Sequence, residues 1–186
     1  MRVITGKARG VVLKTPDGLA TRPTADRVKE ALFSIIQFEI PCAKVLDLFG
    51  GTGQLGIEAL SRGANSAVFV DKSNDACKLI RENLRRTRLD AQGSVVCSDY
   101  SSYLKTCKEK FDVIFLDPPY AEVFLENSLK MITEIDILQT GGIIVLERPL
   151  GKEFLWEFSG YSRSRDYKYG KTLLTIYRKE SLPETK

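Results

Sequence analysis

The sequence contains no histidine. That absence removes Ser-His-Asp and Cys-His nucleophiles, histidine-ligated zinc and any imidazole base. Chemistry here must use carboxylates, backbone groups, aromatic rings or a cofactor. Cysteine is scarce too. Cys42, Cys77, Cys97 and Cys107 are widely separated with no Cys-x-x-Cys pair, so neither a zinc site nor a disulfide scaffold is suggested. No apolar run approaches the ~18 residues that a membrane span requires. Met1-Arg2-Val3-Ile4 lacks the charged-then-apolar pattern of a signal peptide. A cytoplasmic protein with no membrane and no metal is expected. The 186 residues, 43% hydrophobic and 28% charged, suit one globular domain rather than two.

The net charge of +4 is concentrated at one end. Residues 1–30 carry Arg2, Lys7, Arg9, Lys14, Arg22, Arg27 and Lys29 against Asp17, Asp26 and Glu30, while the remaining residues carry 21 of each sign. A basic end on a neutral body suits contact with a polyanion such as nucleic acid; a merely solvated surface is the plain alternative.

Residues 2–4 and 9–13 read as a small hairpin, followed by the loop Pro16-Asp17-Gly18. Val28, Ala31, Leu32, Ile35 and Ile36 then follow helical spacing, with Thr24 as N-cap and Pro41 as terminator. From Lys44 strands and helices alternate. Strands are predicted at Val45–Phe49, Ala67–Val70, Ser94–Cys97, Val113–Leu116 and Ile143–Leu146, with helices at Leu55–Ser61, Asp75–Arg86 and Val123–Ile132. A weaker helix falls between the third and fourth strands, and a short one is possible over Glu153–Phe158. Tyr161–Tyr167 and Thr172–Tyr177 alternate around Tyr169-Gly170-Lys171 and suggest a closing antiparallel hairpin. The pattern implies an α/β fold with a parallel, doubly wound sheet.

Three groups of residues point to chemistry. Val45-Leu46-Asp47-Leu48-Phe49-Gly50-Gly51-Thr52-Gly53-Gln54-Leu55-Gly56 runs from a strand through a glycine loop into a helix, with four glycines in seven residues. Glycines permit positive φ and close approach of a ligand. No Gly-Lys-Ser/Thr follows, so a phosphate-binding P-loop is excluded, while a dinucleotide site stays open. Asp47, inside the predicted strand, is costly unless a cation or donor meets it, which an ammonium or sulfonium supplies better than a pyrophosphate does. Asp71 ends the second strand, where it can accept both ribose hydroxyls or cap a helix. Asp99, before Tyr100, can accept from an adenine amine or serve as a cap. Finally, Asp117-Pro118-Pro119-Tyr120 ends the fourth strand at the sheet edge that binds ligands. The Asp117 carboxylate and the Pro118 carbonyl can both accept from an exocyclic amine, pyramidalising its nitrogen, while two prolines fix their direction. Tyr120 offers a face for a base taken out of its helix.

With these motifs the chain resembles the class I S-adenosylmethionine-dependent methyltransferases. Arg22-Pro23-Thr24-Ala25-Asp26-Arg27-Val28-Lys29-Glu30-Ala31-Leu32-Phe33 and Tyr169-Gly170-Lys171-Thr172 extend the resemblance to the bacterial 16S ribosomal RNA guanine-N2 methyltransferases, which modify guanine 966. The likeness runs from residue 1 to about 179. It implies one domain over 1–179: a basic hairpin and loop (1–23), a cofactor-covering helix (24–40) and a seven-stranded Rossmann-like core (44–179), before a tail over 180–186. It implies S-adenosylmethionine held by Thr24, Asp47, Phe49, Gly50, Gly51, Gly53, Asp71, Lys72, Asp99, Tyr100 and Asp117. The same resemblance makes Asp117, Pro118, Pro119 and Tyr120 the catalytic group. Arg2, Lys7, Arg9, Arg22 and Arg27 become RNA contacts, with a monomer acting on 16S rRNA in the small subunit or an assembly intermediate. Gly50 stands where alanine is frequent, and Asp71 where glutamate is. Other acceptors (adenine-N6, glutamine), a non-catalytic RNA-binding factor and a nicotinamide-linked dehydrogenase are the alternatives. An intact Asp-Pro-Pro-Tyr and glycine loop weigh against the second, and Asp47 with no catalytic histidine against the third.

Overall fold

Strand–helix alternation builds a parallel sheet because each helix must return the chain to the same edge. The computed structural model describes residues 1–16, 23–118, 121–151 and 156–181. Its elements are α1 (Pro23–Ile35), β1 (Lys44–Asp47), α2 (Gln54–Ser61), β2 (Ser66–Asp71), α3 (Asn74–Thr87), β3 (Gly93–Cys97), α4 (Tyr100–Thr106), β4 (Phe111–Leu116), α5 (Ala121–Ile135), β5 (Leu138–Pro149), β6 (Tyr161–Arg163), β7 (Tyr167–Tyr169) and β8 (Thr172–Lys179). The sheet order is β3-β2-β1-β4-β5-β8-β6, and β7 also lies on β8. β3 through β5 run parallel, and β8 is antiparallel to β5.

The eight strands fill seven positions, because β6 and β7 lie along the same side of β8. The expected single strand Tyr161–Tyr167 is broken: three residues, 164–166, face only Thr175 and Ile176 between the pairs Arg163↔Tyr177 and Tyr167↔Leu174. This bulge is held by Asp166, which accepts from Thr175 Oγ1 (2.6 Å), Arg148 (2.6 Å) and Arg163 (2.8 Å).

Other boundaries shift for local reasons. α1 stops at Ile35, not at Pro41, because Ile36 and Ile40 stay buried by folding back through a turn. Pro41 disfavours helix in the residue before it, so the break comes a turn earlier. The expected N-terminal hairpin is one isolated antiparallel bridge, Arg2↔Val12, not two regular strands. Residues 156–158 are irregular, so no helix spans Glu153–Phe158; residues 153–155, the Asp17-Gly18 turn and the tail from residue 182 lie outside the described residues.

Alternation sorts the core into two layers. Val45, Phe69, Phe115 and Val145 pack with Leu32 and Phe33 of α1, Ile57 of α2 and Ile80 of α3. Leu46, Val70, Ile114 and Leu146 pack with Leu104 of α4 and Leu125, Leu129 and Ile132 of α5. The N-terminal arm closes over the first layer through Glu58 of α2. This fully buried carboxylate accepts from Ile4 N–H (2.8 Å), Thr5 N–H (3.0 Å) and Arg62 Nε (2.8 Å), and pairs with Lys29 (3.3 Å). Lys29, counted above among the basic surface, is itself only 2% exposed, and its ammonium also donates to the Arg2 carbonyl (2.6 Å). Burial lowers its pKa and Glu58 opposes that shift.

Removing one partner of a buried pair strands the other charge. Glu58→Ala is therefore expected to cost about 3–5 kcal/mol in urea unfolding. A loss below about 1 kcal/mol, the scale of a surface pair, would show that the arm is not anchored there.

Candidate active site

β1 delivers its chain at the carboxyl edge, and the loop that follows is shaped by steric need. Gly53 caps α2 with φ +78°, and a Cβ there would lie 3.2 Å from Ile57 and Ile80 side-chain atoms. A Cβ on Gly56 would stand 2.2 Å from the Phe69 ring, so glycine lets α2 press against β2. Asp71, the last residue of β2, steadies the loop by accepting from Gly51 N–H (2.9 Å) and Ser73 N–H (2.8 Å).

Asp47 ends β1 instead of lying within a longer strand. Its buried carboxyl accepts from Gly56 N–H (3.1 Å). Burial, joined by the charges of Asp117 and Asp71, pushes its pKa up to about 7 against the effect of that hydrogen bond. Burial raises Asp117, just past β4, to about 6. Beside it Glu147 of β5 rises to about 8, through burial first and the Asp117 charge second. The register Leu116↔Leu146 makes these two acidic residues neighbours.

These strand ends border a cavity of ≈ 510 Å³. Of the expected cofactor residues, Asp47, Phe49, Gly50, Gly51, Asp71, Lys72, Asp99, Tyr100 and Asp117 line it together. Gly53 does not; its place is set by the left-handed backbone and by Ile57 and Ile80. Asp99 caps α4, accepting from Ser101 N–H (2.9 Å) and Ser101 Oγ (2.7 Å), which together hold its pKa low. It lines the cavity as well. Tyr100 packs on Phe49 (5.3 Å between centroids) and Phe124 (5.9 Å), giving the cavity an aromatic wall. Pro118 is buried; Pro119, Tyr120 and Arg22 lie outside the described residues, as does the side chain of Thr24 in α1.

Met1, Thr52, Gln54, Leu55 and Phe124 also line the cavity and carried no signal of their own in the sequence. Gln54 Oε1 is buried there without a hydrogen-bond partner. Glu147 was legible by the rule that picked out Asp71, Asp99 and Asp117, an acidic residue at a strand end. Arg2, Arg9 and Arg27 border a separate cavity, and Lys7 borders a third with Arg62 and Gln37. Among the described residues no cluster of three metal-ligating side chains occurs, and no helix is long and apolar enough to cross a membrane.

Residues 1–178 match the model of the family described as Conserved hypothetical protein 95. The chain belongs to that family. Its relatives include "Putative rRNA methyltransferase YlbH" of Bacillus subtilis, 38% identical over 182 residues (96% of this chain, 99% of the relative). "Ribosomal RNA small subunit methyltransferase D" of Escherichia coli is 30% identical over 185 residues (100% of this chain, 93% of the relative). Among solved structures, "Putative methyltransferase yhhF" from Escherichia coli aligns with a TM-score of 0.88 at 29% identity, covering 97% of this chain and 98% of that one. The parallel sheet with its antiparallel end is thus the Rossmann-like methyltransferase fold of the family.

A carboxyl with a raised native pKa binds its proton more tightly folded than unfolded, so ionising it costs stability. For Asp47 the cost begins above the unfolded value of 3.8 and is complete above about 7. Asp47→Asn should therefore flatten the fall in unfolding free energy between acid and neutral pH, a difference of a few kcal/mol in urea melts. Equal slopes for the two proteins would place the titration elsewhere.

Proposed function

We propose that this chain is an S-adenosylmethionine-dependent RNA methyltransferase that places one methyl on the exocyclic N2 amine of a guanine in 16S ribosomal RNA. The observation that carries the reading is the polar lining of the cavity: acceptors and carboxyls run along one sheet edge from Asp99 and Asp71 through Asp47 to Asp117. Among the described residues none of these four forms a salt bridge, and Gln54 Oε1 lacks a donor. Such a lining suits a ligand whose polar groups are donors and cations: ribose hydroxyls, an adenine amine, an ammonium and a sulfonium. The names of YlbH and of the small subunit methyltransferase D support RNA as the acceptor.

Asp71 would hold the ribose, with Asp99 and the Tyr100 face at the adenine. Asp47 and the Gly50–Gly51 backbone would meet the methionine part, with Phe49 and Lys72 completing the walls. When bound, S-adenosylmethionine would supply an electrophilic methyl whose bond to the positive sulfur breaks as the nitrogen attacks, leaving a neutral thioether. Asp117 and the Pro118 carbonyl accept from the two N–H groups of the target amine and turn its lone pair toward that methyl. Deprotonation before attack is not required; positioning supplies most of the rate. Once the nitrogen carries the methyl and a positive charge, the Asp117 carboxylate receives its surplus proton. With a pKa of about 6 it is mostly ionised at neutral pH, as an acceptor must be. Tyr120 would stack on the base, and Arg2, Lys7, Arg9, Arg22 and Arg27 would hold phosphates.

The decisive assay incubates the protein with labelled S-adenosylmethionine and small subunits from cells lacking the enzyme, then identifies the labelled nucleoside by mass spectrometry. N2-methylguanosine at one site is expected; N6-methyladenosine would replace the guanine reading. Asp117→Ala should lower turnover by at least ~100-fold with cofactor affinity little changed, whereas Asp71→Ala should weaken that affinity by roughly an order of magnitude. Cofactor affinity should rise several-fold from slightly acid to slightly alkaline pH, because a cation on Asp47 favours its ionised form and binding releases a proton. Calorimetry showing no proton release would separate the cofactor charge from this carboxyl.

A further inference from the structure

The run from Asp26 to Phe33 opens a helix whose inward residues are accounted for. Val28, Leu32 and Phe33 are core, and Lys29 is bound to Glu58 and the Arg2 carbonyl. Asp26, Arg27 and Glu30 are left over. They border a cavity of ≈ 450 Å³ whose opposite wall is the N-terminal arm with Arg2 and Arg9. Among the described residues the guanidinium groups of Arg2, Arg9 and Arg27 make no hydrogen bond and no ion pair, although two carboxylates share their cavity. Asp26 Oδ1 is buried without a hydrogen-bond partner. Buried acceptors are nearly always satisfied, so an orphan of this kind marks a place for a donor.

Three free guanidiniums reject a cation, while Asp26 and Glu30 penalise a bare anion. A ligand that satisfies the whole lining carries an anion and a hydrogen-bond donor close together. In RNA a sugar hydroxyl lies beside each phosphate. Consecutive residues of the arm also wall the two cavities, Met1 the cofactor cavity and Arg2 this one. We propose that this second cavity seats one ribonucleotide near the target base, with its phosphate on Arg2, Arg9 and Arg27 and its ribose 2′-hydroxyl donating to Asp26. The proposal rests on the reading of the chain as an RNA methyltransferase. It gives the chain a way to tell RNA from DNA without reading a base.

The test measures fluorescence anisotropy of the full chain with a labelled single-stranded RNA octamer and with DNA of the same sequence over a salt series. The wild type should favour RNA several-fold. Asp26→Ala should bring the two affinities within about twofold by weakening RNA and strengthening DNA, since it removes both an acceptor and a charge that repels phosphate. Asp26→Asn, which keeps an acceptor, should restore part of the preference. Arg9→Ala should weaken both nucleic acids by the same factor and make the salt slope shallower by about 0.7, the value of one single-strand phosphate. An RNA preference untouched by Asp26→Ala would overturn the pocket and leave RNA binding standing. A wild type that binds S-adenosylhomocysteine but neither nucleic acid would overturn the pocket and the RNA reading together.

Discussion

Glu58 joins the N-terminal arm and α1 to α2. It sits on α2, the helix opened by the glycine loop, and is fully buried. A lone carboxylate there would be strongly disfavoured. Two backbone N–H groups of the arm, the Arg62 guanidinium and the Lys29 ammonium meet it instead. The interaction is worth more as geometry than as net stability, because desolvation offsets much of the Coulomb gain. Its consequence is that the arm, α1 and α2 hold one arrangement. Ser61 repeats the link, accepting from Ala8 N–H (2.9 Å) and donating to the Thr5 carbonyl (2.6 Å). Further along the arm, buried Asn83 of α3 donates to the carbonyls of Lys14 (3.0 Å) and Thr52 (2.9 Å) and accepts from Lys14 N–H (2.7 Å). One side chain therefore bridges the arm and the glycine loop.

The carboxyl edge of the sheet shows the opposite use of charge. Adjacent strands carry Asp71, Asp47, Asp117 and Glu147 at or near this edge, and the raised pKa values of the last three follow from burial, joined at Asp47 and Glu147 by the charge of neighbouring carboxylates. Without a ligand these groups oppose ionisation and one another. A cationic ligand relieves that conflict, so the carboxyls favour positive charge at this edge. Lys29 and Glu58 have their countercharges built in; the edge leaves its own to be supplied.

Much of this was legible in the residues because the controlling forces are local. Period-two and helical spacing gave each parallel strand and its helix to within a few residues, and the glycine loop and Asp117-Pro118 sit where strand ends must lie. What escaped depends on contacts far apart in sequence. Lys29 reads as surface because a lysine between helical core positions usually is; its burial follows from an arm that only the fold brings over it. Gly53 reads as a ligand contact, yet Ile80 on another helix helps explain it. The bulge in the edge strand depends on Asp166 finding Arg148 across the sheet. Phe124 reads as helix core and instead completes the aromatic wall, because α5 packs beside α4.

A chain of this size spends nearly all of its core on the sheet and its helices, which leaves few elements for recognising a large RNA. Under the proposed function the arm therefore has to do more than add charge. A wholly mobile basic tail could supply the proposed phosphate contacts with the same salt dependence, but with no preference for where the RNA lies. An arm fixed by Glu58, Ser61 and Asn83 places its arginines at set distances from the glycine loop, so the proposed contacts would carry positional information. Bringing a base within reach of Asp117 is a demand on geometry rather than on affinity. The buried polar links between arm and core are what would let so short a segment meet that demand.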